Sequence, residues 1–319
     1  MAEADITSAG TGDWNAGATW TGGAVPDTDQ HAIIQSGHNV TINADDEVKS
    51  LTVNSGGTLT GNSSYSLTIN GEGNASYGTN GYAVRIHSGS TLGTNVKLIV
   101  ETQADTWATL NAGSGTLDSL TINHASCNLI LQAAATLAGN LTITAGELDT
   151  HSNNYALTVT GDVSVTGTLT GNASAISLGS LTIESGGTYS ATSGTTTVTS
   201  ETSGGYTWRN NGGTFTHNDG TVTTNSSVDT KIRENTFYNL IINQSSSGKF
   251  VYWEDTSGNT CTVANDLTIT TGRLRGLVAS DTVTVTGDVT VSADGTFNHT
   301  SVWTGSINHG SLTIASGGT

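Results

Sequence analysis

The sequence predicts an all-β protein, a parallel β-helix or β-solenoid with a super-repeat of about 130 residues. The first observation behind this prediction is a nine-residue phrase that occurs three times. It reads SLTVNSGGT from Ser50, SLTIESGGT from Ser180 and SLTIASGGT from Ser311, so the three copies are almost evenly spaced. The segment LTITAGEL at 141–148 also returns, as LTITTGRL at 267–274. A fixed period of this kind is typical of repeat architectures.

The second observation is the alternation of apolar and polar residues in short runs. One side chain in two faces the core of a half-buried strand, so these runs predict strands. No run carries a helical apolar stripe, and we interpret the best helix candidate, 129–137, as strand as well. Gly-rich turns such as 55–57 and 185–187 separate the runs, because glycine adopts positive φ without steric cost. The predicted inward residues are Leu51, Val53, Leu67, Ile69, Leu157, Val159, Val163, Val165, Val283, Val285, Val289 and Val291.

The third observation is the composition, with 34 % apolar and 11 % charged residues. Both values are below those of ordinary compact domains. Disorder is disfavoured, because Thr, Val and Ile dominate and the chain has a single proline. The long period favours a solenoid over a sandwich or a barrel. Coils of roughly 20–25 residues, stacked about 4.8 Å apart, would give about 14 coils.

The charge limits the classes of partner. The net charge is −17, with only nine Lys and Arg residues. Nucleic-acid binding depends on basic residues that release phosphate counterions, so we expect no nucleic-acid partner and no attraction to anionic membranes. Every apolar run is far shorter than a membrane-spanning helix requires, so membrane insertion is not expected. Cys127 and Cys261 are predicted to be free thiols, because about six coils, on the order of 29 Å, would separate them.

Four segments are predicted along the chain. They are an N-terminal capping or attachment segment at 1–49, a regular solenoid at 50–200, aromatic-rich irregular coils at 201–260, and a resumed solenoid at 261–319. Trp14 and Trp20 are expected to cover the first coil, with sugar stacking on these rings as the alternative. The third phrase ends at Thr319 without a polar capping coil, so we expect the solenoid to continue or another subunit to cover this end.

The segment from Phe250 to Asp255 is the candidate contact surface. The predicted patch consists of Phe250, Tyr252, Trp253, Glu254 and Asp255. Strand alternation places some of these rings outward, and exposed rings indicate a protein or sugar partner. In the alternative, either Phe250 with Tyr252 or Val251 with Trp253 fills a wide coil interior. Six of the nine basic residues lie nearby, namely Arg209, Lys231, Arg233, Lys249, Arg273 and Arg275.

Catalytic and metal-binding residues are not predicted. Six carboxylates lie in or next to the aromatic segment, at Glu201, Asp219, Asp229, Glu234, Glu254 and Asp255, but no spacing selects a catalytic pair from them. The eight histidines are scattered, and the sequence has no Cys-x-x-Cys motif. Asp-rich turns offer the oxygen ligands that Ca²⁺ prefers, but typical calcium-binding repeats are absent, so we assign no cofactor and no metal ligand.

Two stretches resemble known families. The segment 160–201, TGDVSVTGTLTGNASAISLGSLTIESGGTYSATSGTTTVTSE, resembles the Thr/Gly-rich β-repeats of virion appendage proteins of marine bacteriophages, such as tail fibres and spikes. The opening GDWNAGATWTGGAVPDTDQHAIIQSGHNVTI, 12–42, is similar to the entry segments of bacterial surface β-helix proteins. The resemblance implies a structural or adhesive role, and it brings no catalytic residues with it.

The function expected from these observations is structural and non-enzymatic. We expect a fibre, spike, or capsid or tail decoration of a phage virion that serves assembly and attachment to the host. The opening residues 1–7 lack the basic and apolar regions of a secretory signal, which favours a virion assembled in the host cytoplasm. The expected partners are copies of the chain, for example in a trimer, other virion proteins, and a host surface glycan or protein. The alternatives are a bacterial extracellular adhesin or filament subunit and a polysaccharide-degrading β-helix enzyme.

Overall fold

The computed structural model confirms the predicted fold class. It describes residues 4–71, 82–102, 108–113, 115–234, 236–254, 260–276, 282–297 and 307–319. The strands in these ranges are parallel and stack as a β-solenoid of about 12 turns, without an α-helix. Two short 3₁₀ turns, Gly17–Thr19 and Thr21–Gly23, lie near the N-terminus.

The chain forms two compact units. The first comprises Met1–Thr160 and Thr166–Thr170, and the second comprises Gly161–Val165 and Gly171–Thr319. The strand β17, Leu157–Val165, is divided between the two.

The first unit is built from three columns of parallel strands. Its strands are β1 (Ala4–Thr7), β2 (Gly12–Asp13), β3 (Gln30–Ile34), β4 (Asn39–Thr41), β5 (Asp46–Val48), β6 (Ser50–Val53), β7 (Thr58–Thr60), β8 (Leu67–Ile69), β9 (Tyr82–Ile86), β10 (Thr91–Leu92), β11 (Lys97–Val100), β12 (Ala108–Asn111), β13 (Thr116–Leu117), β14 (Ser119–Leu131), β15 (Ala135–Leu137), β16 (Leu141–Asp149) and β18 (Thr168–Thr170). One column runs β3, β6, β9 and β12, a second runs β5, β8, β11 and β14, and a third runs β2, β4, β7 and β10.

Coil lengths vary more than the sequence predicts. In one column His31 stacks on Ser50, whereas Leu51 stacks on Val84, so the second of these coils is more than half as long again as the first. The described strands of these two coils, β3 to β9, have three to five residues each. The solenoid consequently has about 12 turns rather than the larger number expected from a uniform coil length.

Apolar ladders form the core of the first unit. Parallel register places Leu98 beside Leu67 and Leu120, and Val100 beside Ile69 and Ile122. The side chains of both ladders are at most 1 % exposed. Burying one such side chain contributes roughly 1.5–3 kcal/mol to stability. In a solenoid this burial requires the coils above and below, because a single coil does not cover its own inward residues.

The second unit continues the same pattern with β19 (Ile176–Ile183), β20 (Thr188–Ser190), β21 (Thr195–Val198), β22 (Tyr206–Asn210), β23 (Thr214–Thr216), β24 (Thr221–Thr224), β25 (Thr230–Arg233), β26 (Thr236–Phe237), β27 (Asn239–Asn243), β28 (Phe250–Trp253), β29 (Thr260–Val263), β30 (Leu267–Gly276), β31 (Thr282–Val285), β32 (Val289–Phe297), β33 (Ile307–Asn308) and β34 (Leu312–Ile314). One column runs β19, β22, β25, β28, β30 and β32. A second runs β21, β24, β27, β30, β32 and β34, and a third runs β26, β29, β31 and β33.

The prediction of inward residues is confirmed in both units. All twelve of the predicted inward Leu, Ile and Val residues are buried. The segment 129–137 contains the end of β14 and the whole of β15, separated by residues 132–134, in place of a helix.

Aromatic rings fill part of the interior of the second unit. Trp208 packs edge-to-face against Phe215 and Phe237, with ring centroids 4.9 and 5.4 Å apart. Trp253 extends this row, since its ring lies 5.7 Å from that of Phe237 and is 1 % exposed. The predicted placement of Trp253 in a surface patch is therefore wrong, because Val251 and Trp253 are the residues of this strand that face the core.

The repeated phrase forms the same turn in its three copies. The first glycine of each pair has a positive φ, of 79° at Gly56, 86° at Gly186 and 98° at Gly317. The second glycine donates its backbone N–H to the carbonyl three residues earlier, over 2.8 Å at Gly57, 2.8 Å at Gly187 and 2.9 Å at Gly318. A Cβ at any of these three second positions would meet a backbone oxygen at 3.0 Å or less. Both glycines are thus required, one for its φ and one for its lack of a side chain.

The two tryptophans near the N-terminus pack against each other. Their centroids lie 4.9 Å apart at 72°, and the indole N–H of Trp20 donates to the carbonyl of Trp14 over 2.6 Å. Trp14 is fully buried and Trp20 is 2 % exposed, so neither ring offers a face for sugar stacking. The segment 1–49 itself contains solenoid strands, since β1 pairs with β3 and β3 pairs with β6. A capping role for the two rings stays a prediction.

Cys127 is a buried free thiol, as predicted. Burial raises the pKa of this thiol to about 11, so it is largely protonated at neutral pH. The side chain of Cys261 lies outside the described residues.

A buried charge tests the inward register. Val163→Asp places a carboxylate at a position that is 1 % exposed, and we expect a loss of at least about 3 kcal/mol in the free energy of unfolding. The matched control is Ser164→Asp on the partly exposed side of the same strand, with an expected change within about 0.5 kcal/mol. Chemical denaturation followed by circular dichroism measures both, and equal losses would contradict the register.

Candidate functional site

One outward face of the second unit differs from the rest of the chain in charge and aromatic content. We name it the basic face and define it by Tyr206, Arg209, Lys231, Arg233, Phe250, Tyr252, Glu254, Arg273 and Arg275. These side chains come from β22, β25, β28 and β30 and from the residue after β28. Five of the nine Lys and Arg residues of the chain lie on this face, although the net charge of the whole chain is −17.

Strand alternation turns the side chains of β25, β28 and β30 and that of Arg209 outward, whereas a register shift between Tyr206 and Trp208 places Tyr206 beside Lys231. The residues between them point into the core and are at most 1 % exposed, namely Trp208, Ile232, Val251, Trp253 and Leu274. Because successive side chains of a strand point to opposite sides, burial of one set places the other on the surface.

Parallel register then aligns residues from different coils. Lys231 lies between Tyr206 and Tyr252, and Arg275 follows Tyr252 on the next coil. In a neighbouring row Phe250 lies beside Arg273. Residues that are 21 to 25 positions apart in the sequence therefore become direct neighbours on the surface.

Three cations surround the Tyr206 ring. The guanidinium carbon of Arg209 lies 4.9 Å from the ring centroid, the ammonium of Lys231 lies 5.0 Å away, and the guanidinium carbon of Arg233 lies 5.5 Å away. The negative face of an aromatic ring attracts a cation, so the ring compensates part of the repulsion between these groups. Tyr206 is itself only 8 % exposed.

Two further rings, those of Phe250 and Tyr252, make cation–π contacts with the arginines of the next coil. Phe250 and Tyr252 stack with centroids 5.5 Å apart and an interplanar angle of 15°. Arg273 lies over Phe250 at 5.2 Å, and Arg275 lies over Tyr252 at 5.8 Å. The arginine heads and the neighbouring rings thus occupy ring faces that would otherwise be open to a ligand. The cations are the groups that this surface offers to a partner.

Glu254 connects the strands of the basic face. Its carboxylate accepts a hydrogen bond from the hydroxyl of Tyr206 and lies 3.5 Å from the Nη2 of Arg233. Burial raises the pKa of Tyr206, and the hydrogen bond and negative charge of Glu254 raise it further, while Arg233 and Arg209 act in the opposite direction. Tyr206 is therefore held in its neutral form, with its proton directed at the carboxylate.

The structure brings together part of the predicted patch. Phe250, Tyr252 and Glu254 lie on the basic face, whereas Trp253 lies in the core and Asp255 lies outside the described residues. The patch prediction did not include Tyr206 or the five cations. The clustering of basic residues between 209 and 275 was the sequence signal that pointed to the five cations.

Three of the other carboxylates weighed as catalytic candidates contact an amide, a backbone N–H group or a histidine ring. Glu234 is 8 % exposed and accepts a hydrogen bond from Asn210 over 3.0 Å. Asp229 accepts the backbone N–H of Phe250 over 3.0 Å, and Asp219 lies 3.6 Å from the ring nitrogen of His217. Within the described ranges, no three His, Cys, Asp or Glu side chains are grouped to hold a metal ion. In the same ranges no helix is long and apolar enough to cross a bilayer.

Comparisons of the chain with protein-family models, with curated proteins and with solved structures found no match.

Removal of the Glu254 charge should lower the pKa of Tyr206. In Glu254→Gln the phenol loses a charged acceptor and keeps its neighbouring cations, so its pKa should fall toward the ordinary value of about 10. Glu184→Gln, which alters a carboxylate bonded to Asn211, is the control and should leave the Tyr206 pKa unchanged. Nuclear magnetic resonance titration of ring-labelled tyrosine measures the shift, and Tyr206→Phe assigns the signal.

The same pKa sets a dependence of stability on pH. The unfolded chain ionises Tyr206 near pH 10, whereas the folded chain resists ionisation to a higher pH. Its contribution to stability is therefore complete below about pH 10 and is lost as the pH rises through the folded pKa. An unfolding free energy with the same alkaline dependence in wild type and Tyr206→Phe would contradict this account.

Proposed function

We propose that this chain is a non-enzymatic structural and adhesive part of a phage virion appendage, such as a fibre, a spike, or a capsid or tail decoration. The observation that carries the proposal is a regular parallel β-solenoid with one outward face of distinct charge. A solenoid gives each coil a fixed position, so outward residues from several coils form an extended contact surface. The resemblance of 160–201 to virion appendage repeats supports the same role.

The proposed role needs further subunits and a surface to bind. Copies of the chain, for example in a trimer, and other virion proteins are the proposed structural partners, and a host surface glycan or protein is the proposed target. The proposed location is the virion, after assembly in the host cytoplasm. A bacterial extracellular adhesin or filament subunit is the second candidate, favoured by the resemblance of 12–42 to bacterial surface β-helix proteins.

Localisation of the native protein tests the proposal. A culture that produces the protein is separated by density-gradient centrifugation into cells and virus particles, and each fraction is labelled with gold-conjugated antibodies against the chain. We expect gold on particle appendages. Label confined to cell envelopes would overturn the virion role and favour the adhesin.

A further inference from the structure

We propose that the basic face binds an acidic polysaccharide, a linear sugar polymer that carries carboxylate or sulfate groups. The proposal deepens the adhesive role and rests on the proposed function only for its biological setting. The binding chemistry itself rests on the side chains of the second unit.

Charge is the first argument for an anionic ligand. The basic face has five cations and the single carboxylate Glu254. Lys249, Glu201, Asp229 and Glu234 border it, so the described residues of the face and its border carry six positive and four negative groups. Only three other basic residues, Lys49, Arg85 and Lys97, occur in the whole chain. The rest of the chain is acidic, since the net charge is −17. A local positive surface on such a chain favours a negatively charged ligand that contacts this surface and not the acidic surface around it.

Geometry is the second argument, and it favours an extended ligand. The cations come from β22, β25 and β30, and β28 lies between β25 and β30 in the same column. With about 4.8 Å between coils, three steps extend the face over about 14 Å along the column. A single small anion would contact one coil or two, whereas a linear polymer can pass from Arg209 to Arg275. Guanidinium groups also bind carboxylate and sulfate oxygens through paired N–H donors.

The aromatic contacts distinguish a polysaccharide from single-stranded nucleic acid. Proteins that bind single strands stack bases on open aromatic rings. Here the three rings of the face are already in contact with cations or with each other, at centroid distances of 4.9 to 5.8 Å. The rings therefore hold the cations in position through cation–π contacts, and the surface recognises charge and hydroxyl groups.

A matched pair of variants tests the proposal. The face variant is Lys231→Gln/Arg273→Gln/Arg275→Gln, and the control variant is Lys49→Gln/Arg85→Gln/Lys97→Gln. Both change the net charge from −17 to −20, so the two variants lose the same charge at different places on the chain. Fluorescence anisotropy measures binding of the full chain to labelled alginate, dextran sulfate, neutral dextran and single-stranded oligothymidine, at low and at physiological salt. Circular dichroism checks that each variant is folded.

The expected result is binding of wild type to alginate or to dextran sulfate, with an affinity that falls as salt increases. Alginate alone would identify carboxylates as the ligand groups, and dextran sulfate alone would identify sulfates. Loss of three surface ion contacts should weaken binding on the order of tenfold in the face variant. The control variant should change by less than about twofold.

Several results would overturn the proposal. They are equal weakening in the two variants, binding to neutral dextran as tight as to the acidic polymers, no binding to either acidic polymer, or tighter binding to oligothymidine. If the triple face variant does not fold, Arg275→Gln and Lys97→Gln serve as the pair, with a smaller expected difference of the same sign. This test and the localisation experiment can fail separately. If the chain binds acidic polysaccharide as expected but is absent from virions, the proposed location is overturned and the proposed binding site is not.

Discussion

The in-register stacking of parallel coils is the interaction on which the rest of this structure depends. A single coil of about 20 residues cannot bury its Leu, Ile and Val side chains by itself. Each inward residue is covered by its counterparts on the coils before and after it, as Leu120 is by Leu98 and Leu141. The same register pairs the backbone N–H and C=O groups of one coil with those of the next. Core burial and backbone hydrogen bonding therefore require the same alignment.

The outward surface depends on this alignment just as the core does. Trp253 follows Tyr252 and Leu274 precedes Arg275, and both of these neighbours are buried in the interior. Their burial fixes the register of β28 and β30, and this register places Arg275 over Tyr252. A shift of one residue in β28 would exchange the inner and outer sets and place Trp253 in the solvent. The buried aromatic residues of the second unit thus hold the strands that display its cations. Changes to the core should be expected to alter the basic face, even where they touch none of its residues.

The parts of the fold that are local in the sequence were predictable from it. Alternation identified inward residues such as Val163 and Val289, and the Ser-Gly-Gly turns were recognisable because their glycines meet backbone constraints within a few residues. The orientation of the segment from Phe250 to Trp253 was not predictable. Aromatic residues occupy both phases of its alternation, so no contrast between polar and apolar residues selects the inward set. The choice is made by contacts with other coils, such as that of Trp253 with Phe237.

The basic face was only partly predictable for a related reason. Its central contact joins Tyr206 to Glu254, which are 48 residues apart in the sequence. Connections between stacked partners differ in length from coil to coil, so a fixed period does not give the register of any particular pair. The clustering of basic residues showed that the region was unusual, but which cation meets which ring follows from the register. The predicted number of coils was too high for the same reason, because a uniform length ignored the longer connections.

The most direct test of the account is therefore a measurement of the register in the second unit. In a background with Cys127→Ala and Cys261→Ala, the pair Thr268→Cys/Thr290→Cys replaces registered neighbours on adjacent coils. The offset pair Asp266→Cys/Thr290→Cys is its control, because a two-residue shift increases the Cα separation from about 4.8 to about 8 Å, beyond disulfide reach. Mild oxidation followed by mass spectrometry should show a disulfide in the registered pair and none in the offset pair. Efficient bridging of the offset pair, with none in the registered pair, would contradict the stacking on which the fold and its basic face are built.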